Sequence, residues 1–136
     1  MIAHKHIEHD LVITDLDLQR LLSMLDRHAA DVDALDWELH RARIVPHDAV
    51  PADIVTMNSD VVYEDCATGA RRTVRVVYPE DADASRGHIS VLAPIGSALL
   101  GLKVGQQIQW ELPSGTRNVF VVEVRYQPEA NRDFHL

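Results

Sequence analysis

Two stretches in the first third of the chain carry apolar residues at helical spacing. In the first, leucines recur every three or four residues at positions 18, 21, 22 and 25, which predicts an amphipathic helix. Thr14 and Asp17 have the spacing of a capping box, so we expect this helix to begin at Thr14. Val32–Ala42 repeats the pattern, with Asp31 and Asp33 as N-cap candidates. The two helices are predicted to pack as a short antiparallel hairpin.

The predicted hairpin is short. A helix rises 1.5 Å per residue, so arms of about 14 residues span only about 20 Å. Pro46 and Pro51 bracket the next segment, and proline both removes a backbone donor and disfavours helix in the residue before it. We therefore expect a linker here and a domain boundary after the hairpin.

Beyond the linker the period of the apolar residues falls towards two. Alternation over Val55–Tyr63 predicts a strand on which every second residue shares a face. Thr68–Gly69 is a turn signal, and a hairpin from Ile54 to Tyr78 is therefore expected. A short strand at His88–Leu92, a helical turn at Pro94–Leu100 and two further paired strands complete the prediction.

These elements define an α+β protein. Its short N-terminal helical hairpin, a stub of coiled coil, is followed by an antiparallel β domain with one short helix. The predicted boundaries are a flexible N-terminal tail at 1–12, the hairpin at 13–45, the linker at 46–52, the β domain at 53–128 and a C-terminal tail at 129–136.

Composition narrows the classes of function. Lys and Arg total 13 against 21 Asp and Glu, giving a formal net charge of -8, so a nucleic acid would be repelled at long range and is expected only as an indirect partner. A single cysteine excludes an internal disulfide. Neither a secretory signal nor a membrane span is apparent, and we expect a cytoplasmic protein.

Candidate chemistry is sparse. The histidines of HKHIEH near the N-terminus lie in a predicted tail that fixes no ligand geometry. Cys66 lacks a patterned His or Asn partner, and Ser97 in GSALLG does not have the spacing of a nucleophile elbow. No phosphate-binding glycine loop is present. We therefore expect no enzyme activity, no cofactor, no metal site and no small-molecule substrate.

Two long strings carry a family resemblance. The run ISVLAPIGSALLGLKVGQQIQW at Ile89–Trp110, followed by PSGTRNVFVVEVRYQPE, resembles the C-terminal domain of bacterial Gre-type transcript-cleavage factors. PADIVTMNSDVVYED at Pro51–Asp65 and the short hairpin ending in ELHRARIV resemble a narrower branch, the regulator of nucleoside diphosphate kinase (Rnk) family. The resemblance implies an FKBP-like β domain. It also implies a regulator that binds RNA polymerase beside its secondary channel and competes with Gre factors.

The resemblance leaves two other functions open. In Gre factors acidic residues at the tip of a long coiled coil help to hold a catalytic Mg²⁺, and Asp31 and Asp33 are the corresponding acids here; helix capping is the structural alternative. A hairpin of about 20 Å is too short to reach a buried active centre, so cleavage stimulation is not expected. Direct contact with nucleoside diphosphate kinase is the second alternative. Prolyl isomerisation lacks the aromatic residues that its pocket needs.

The predicted contacts with the partner are surfaces. Ile95–Leu102 has more apolar residues than two helical turns bury, so it forms either a docking patch or a lid on the core. Trp37 lies off the apolar stripe of its helix and is either an interface anchor or a contact to the β domain. The candidate partner-binding residues are Asp31, Asp33, Trp37, Asp81, Asp83, Ile95, Ser97, Leu99 and Leu100.

Overall fold

A computed structural model describes residues 4–6, 11–27, 39, 41–112 and 115–134. Its helices are α1, Asp15–Arg27, and α2, Pro94–Leu99, with single 3-10 turns at Pro79–Asp81 and Ala84–Arg86. The strands are β1 His4–His6, β2 Val12–Thr14, β3 Arg43–Val45, β4 Asp60–Asp65, β5 Arg71–Val77, β6 His88–Ser90, β7 Gln107–Leu112 and β8 Gly115–Tyr126.

The strands form two sheets. Six of them lie in the order β1-β7-β8-β4-β5-β6, and β2 and β3 form a separate parallel pair. Neighbours in the large sheet are antiparallel except β5 and β6, which run parallel. The two 3-10 turns between β5 and β6 return the chain so that β6 runs beside the second half of β5. The α+β class and a mostly antiparallel sheet are therefore as predicted, with one parallel edge strand added.

The hairpin predicted from Ile54 to Tyr78 begins later than expected. Strand β4 starts at Asp60 because Thr56 and Ser59 form a closed local turn. The Thr56 amide donates to Ser59 Oγ at 3.0 Å and the Ser59 amide donates to the Thr56 carbonyl at 3.2 Å. Such local hydrogen bonds compete with strand pairing. Asn58 also has a φ of 65°, so the residues between Ile54 and Ser59 are a buried loop rather than strand.

The segment predicted as a flexible tail at 1–12 contains strand. β1 pairs antiparallel with β7, and Val12 begins β2, which pairs with β3. β7 otherwise presents an unpaired edge, and an unpaired edge is a template for a further strand. Charge and histidine in the sequence do not reveal this pairing, because the backbone rather than the side chains makes it.

Helix α1 begins as predicted. The Asp17 amide donates to Thr14 Oγ1 at 3.0 Å, which is the cap expected from the sequence. Leu21 and Met24 are fully buried on its inner face and belong to the same core cluster as Leu39. Most of the predicted second arm lies outside the described residues. Within the described part of the chain, no helix is long and apolar enough to cross a membrane.

The base of α1 is attached to the β domain. Leu11 is buried against Gly101, whose φ of 84° and close approach to Leu11 exclude a side chain there. The Val12 amide donates to the Gly101 carbonyl at 3.1 Å, and the Arg43 amide donates to the Leu11 carbonyl at 2.7 Å. The predicted hairpin and β domain therefore share one core rather than meeting only at a linker.

Candidate functional site

Four of the predicted partner-binding residues lie in the segments before and after strand β6. Asp81, Asp83, Ile95 and Ser97 lie in the two segments that flank strand β6, and both segments pack against that strand. Asp31, Asp33 and Trp37, the candidates on the hairpin, lie outside the described residues. The candidate site that can be described therefore consists of the two segments next to β6.

Helix α2 is a lid with one exposed side. Gly96, Ala98 and Leu99 are its buried residues, and Leu100 follows as its buried C-cap. Leu99 and Leu100 are therefore part of the core and not available to a partner, which corrects their place among the candidates. Their burial follows from the helix lying flat on β6. Ile95 and Ser97 are half-buried and face the surface.

Close approach of two backbones fixes the position of α2. A Cβ built on Gly96 would lie 2.2 Å from the Ser90 carbonyl oxygen and 3.1 Å from Val91 Cα. The Ser97 hydroxyl lies 3.3 Å from the Pro94 carbonyl, on the outer side of the same turn. Ile95 and Ser97 are thus presented by a backbone that has little room to shift.

In the acidic loop before β6, the two candidate carboxylates have different surroundings. Asp83 Oδ1 accepts hydrogen bonds from the Ser85 amide at 3.1 Å and the Ser85 hydroxyl at 2.5 Å, and Oδ2 lies 3.5 Å from Arg86 Nε. Asp83 therefore caps the second 3-10 turn. Asp81 is exposed at the end of the first turn, and its carboxylate makes no hydrogen bond or ion pair with the described residues. Of the two candidate carboxylates, Asp81 is therefore the one that is exposed and unbonded within the described residues.

A second cluster, which the sequence did not reveal as a site, lies where α1 meets the β domain. Asp17 is buried, and its Oδ2 accepts a hydrogen bond from the Met57 amide at 3.1 Å. Burial raises the pKa of Asp17 to about 7; the Met57 hydrogen bond opposes that rise, and the charge of Glu129 adds to it. The capping pattern predicted Asp17 only as part of the helix start. Its burial depends on residue 57, forty positions away.

Metal and thiol chemistry find no support in the described residues. No group of three or more His, Cys, Asp or Glu side chains within them is arranged to hold a metal ion. Cys66 is an exposed thiol whose pKa is raised by desolvation and by the negative charges of Glu64 and Asp65. A raised pKa keeps the thiol protonated and lowers its reactivity.

Comparison with known proteins defines the class. Residues 50–126 match the family model described as transcription elongation factor, GreA/GreB, C-term. A solved structure described as prokaryotic transcription elongation factor GreA/GreB from Nitrosomonas europaea is 40% identical, with a TM-score of 0.72, and the match covers 88% of this chain and all of that one. The fold is that of a GreA/GreB-type factor.

The N-terminal part of the chain identifies the narrower family to which it belongs. Residues 10–45 match the family model of the Rnk N-terminus. The chain is 42% identical to the regulator of nucleoside diphosphate kinase of Escherichia coli K12, over 93% of this chain and 96% of that protein. The chain belongs to the regulator of nucleoside diphosphate kinase family, as the sequence strings predicted. By contrast, the GreA of Syntrophobacter fumaroxidans is 45% identical over 67 residues, and the match covers only 43% of its length.

Proposed function

We propose that this protein binds bacterial RNA polymerase beside the secondary channel, competes there with Gre-type elongation factors and does not stimulate RNA cleavage itself. The observation that carries the proposal is the pairing of a complete GreA/GreB-type β domain with a short helical arm. Helix α1 has 13 residues, which correspond to about 20 Å. Such a protein retains the docking domain and lacks the reach that cleavage requires.

The two parts of the chain are similar to different families, and this supports separate roles for the β domain and the helical arm. The match to the GreA of Syntrophobacter fumaroxidans covers less than half of that factor. The family model of GreA/GreB covers the β domain, whereas a separate model covers the helical arm. A shared docking domain with a different arm is what a competitor needs, because it occupies a site without repeating its chemistry.

The docking surface in this proposal is centred on Asp81, Ile95 and Ser97. A half-buried isoleucine and an exposed carboxylate, both in segments that pack against β6, suit a partner surface with an apolar patch and a basic group. The net charge of -8 favours the same kind of partner. We further propose that the β domain is FKBP-like and acts in the cytoplasm as a binding module rather than as an enzyme.

Substitutions on this surface should weaken binding to polymerase without unfolding the protein. Because Asp81 is exposed and Ile95 is only partly buried against the core, Asp81→Asn with Ile95→Ser is expected to raise the Kd for core RNA polymerase at least tenfold. Fluorescence anisotropy with labelled protein measures this Kd, and thermal unfolding checks the fold. Asp48→Asn removes an exposed linker carboxylate and is the charge-matched control. An unchanged Kd for the double variant would exclude this surface.

Two other functions are distinguished by direct assays. The name of the Escherichia coli relative favours contact with nucleoside diphosphate kinase, and recovery of the kinase without polymerase in a pull-down would replace our proposal with that one. Cleavage stimulation through Asp31 and Asp33 predicts shortened transcripts when the protein is added to stalled elongation complexes. We expect no shortening. Stimulated cleavage that is lost in Asp31→Ala would contradict the proposal.

A further inference from the structure

The last described residues of the chain are folded onto the arm rather than trailing away. We propose that Gln127–Phe134, the C-terminal clasp, fixes the direction of α1 relative to the β domain, and that Asp17 and Glu129 determine how firmly it holds. The clasp deepens the proposed function, since the direction of the arm decides what it covers on a partner. Its existence is tested on the isolated protein.

The clasp is itself a folded unit. The Tyr126 hydroxyl donates to Asp133 Oδ2 at 2.6 Å, and the Asp133 amide donates to the Pro128 carbonyl at 2.8 Å. The Asn131 side chain donates to the Gln127 carbonyl at 3.1 Å. These hydrogen bonds hold this segment as a compact loop at the end of β8.

The clasp is tied to the linker and to the loop before β4. Gln127 is buried, and its Nε2 donates to the carbonyls of Pro51 and Ile54, each at 2.8 Å. Glu129 Oε1 accepts a hydrogen bond from the Thr56 hydroxyl at 2.6 Å. These contacts place the clasp beside the Met57 amide, to which Asp17 of α1 is bonded.

The clasp also contacts the arm and the linker at its far end. Arg20 Nη2 donates to the Phe134 carbonyl at 3.1 Å, one turn into α1. The Phe134 ring meets the His47 ring edge-on, with centroids 5.0 Å apart and an interplanar angle of 79°. His47 in turn lies 2.9 Å from Asp15 Oδ1, through both Nδ1 and its backbone amide. The first turns of α1 are therefore held by the clasp as well as by β2.

Asp17 makes this hold sensitive to charge. The charged and titratable groups that interact with it are Glu129 in the clasp, Arg20 on its own helix and Tyr78 just after β5. It also accepts the hydrogen bond from the Met57 amide. An ionised carboxylate at this place is poorly hydrated and repelled by Glu129, and opening the clasp admits water to it. A protonated Asp17 removes both penalties. Deprotonation of Asp17 therefore loosens the arm.

Spin-label distances test the clasp directly. Cys66 is the native exposed thiol, and Ser23→Cys adds an exposed label site on α1. At pH 5.5 the pulsed electron paramagnetic resonance distance distribution between them should be narrow, and at pH 8.5 it should be at least twice as wide. Asp17→Asn should keep it narrow at both values, and Phe134→Ala should widen it at both. Asp48→Asn should respond to pH as the unsubstituted protein does.

A second label pair identifies general loosening. Cys66 with Lys103→Cys reports on the β domain alone and should give the same distribution at both pH values. Widening of both pairs would contradict a clasp that acts on the arm. A Cys66–Ser23 distribution that is equally narrow at pH 5.5 and 8.5 would also overturn the proposal, and this comparison does not depend on whether Phe134→Ala folds. None of these results depends on polymerase binding.

Discussion

Gly96→Ala is expected to destabilise the protein by about 3 kcal/mol and to lower its Tm by roughly 10 °C. Residue 96 lies in helix α2, where alanine is intrinsically favoured over glycine by up to about 1 kcal/mol. The added Cβ, however, would lie 2.2 Å from the Ser90 carbonyl oxygen and 3.1 Å from Val91 Cα, and backbone atoms cannot rotate away. A loss of stability would therefore show that the packing clash outweighs the higher helix propensity of alanine. Chemical denaturation measures it.

The control for Gly96→Ala is Gly69→Ala, at a glycine that has space for a Cβ. Gly69 has a φ of 75° and no atom within 4 Å of a built Cβ, so Gly69→Ala adds backbone strain without a clash and should cost about 1 kcal/mol. An increase in stability for Gly96→Ala would show that α2 is not held against β6 at this distance, and Ile95 and Ser97 would lose their fixed presentation.

The stability of the protein should fall as the pH rises towards 8, and Asp17→Asn should remove most of that fall. The pKa of Asp17 is raised from 3.8 to about 7 in the folded protein. Between these values the folded state therefore binds more protons than the unfolded state, and the free energy of unfolding decreases with pH. Over the whole interval the loss amounts to about 4 kcal/mol. Urea unfolding at pH 5, 6, 7 and 8 follows the part of this loss that lies above pH 5, about 3 kcal/mol.

Comparison between variants separates the contribution of Asp17 to this pH dependence from that of the other titratable groups. Asparagine keeps an oxygen for the Met57 amide and carries no charge. The stability of Asp17→Asn relative to the unsubstituted protein should therefore increase by about 3 kcal/mol from pH 5 to pH 8. Asp48→Asn, an exposed carboxylate, should show no such change. A constant difference from pH 5 to pH 8 would mean that Asp17 is hydrated in the folded protein.

Local patterns in the sequence predicted most of the secondary structure. The Thr14 cap, the turn at Thr68–Gly69 and helix α2 rest on neighbouring residues, and the structure confirms each of them. The Val55–Tyr63 alternation was wrong over its first half, because Thr56 and Ser59 bond to each other. The sequence predicted the strand at His88–Leu92 but not its parallel pairing with β5, and it missed the strand at His4–His6; both pairings are with distant segments. Period and propensity do not encode such pairing.

The sequence also predicted the candidate site only in part. Apolar spacing identified α2 as a lid or a docking patch, but it did not separate buried Leu99 and Leu100 from half-exposed Ile95. Asp81 and Asp83 have equal standing in the sequence, and only the bonds to Ser85 show that Asp83 is a cap. The C-terminal clasp had no sequence signal. Most of its side chains are polar, and their partners lie on three other segments.

We propose that this protein occupies the site of a Gre factor on RNA polymerase. Competition measures it most directly: labelled Gre factor is bound to core polymerase, and the unlabelled protein is titrated in while anisotropy is followed. We expect complete displacement, with a midpoint that rises in proportion to the Gre concentration. Unchanged Gre binding at protein concentrations that saturate polymerase, or no binding of the protein to polymerase, would contradict the shared site.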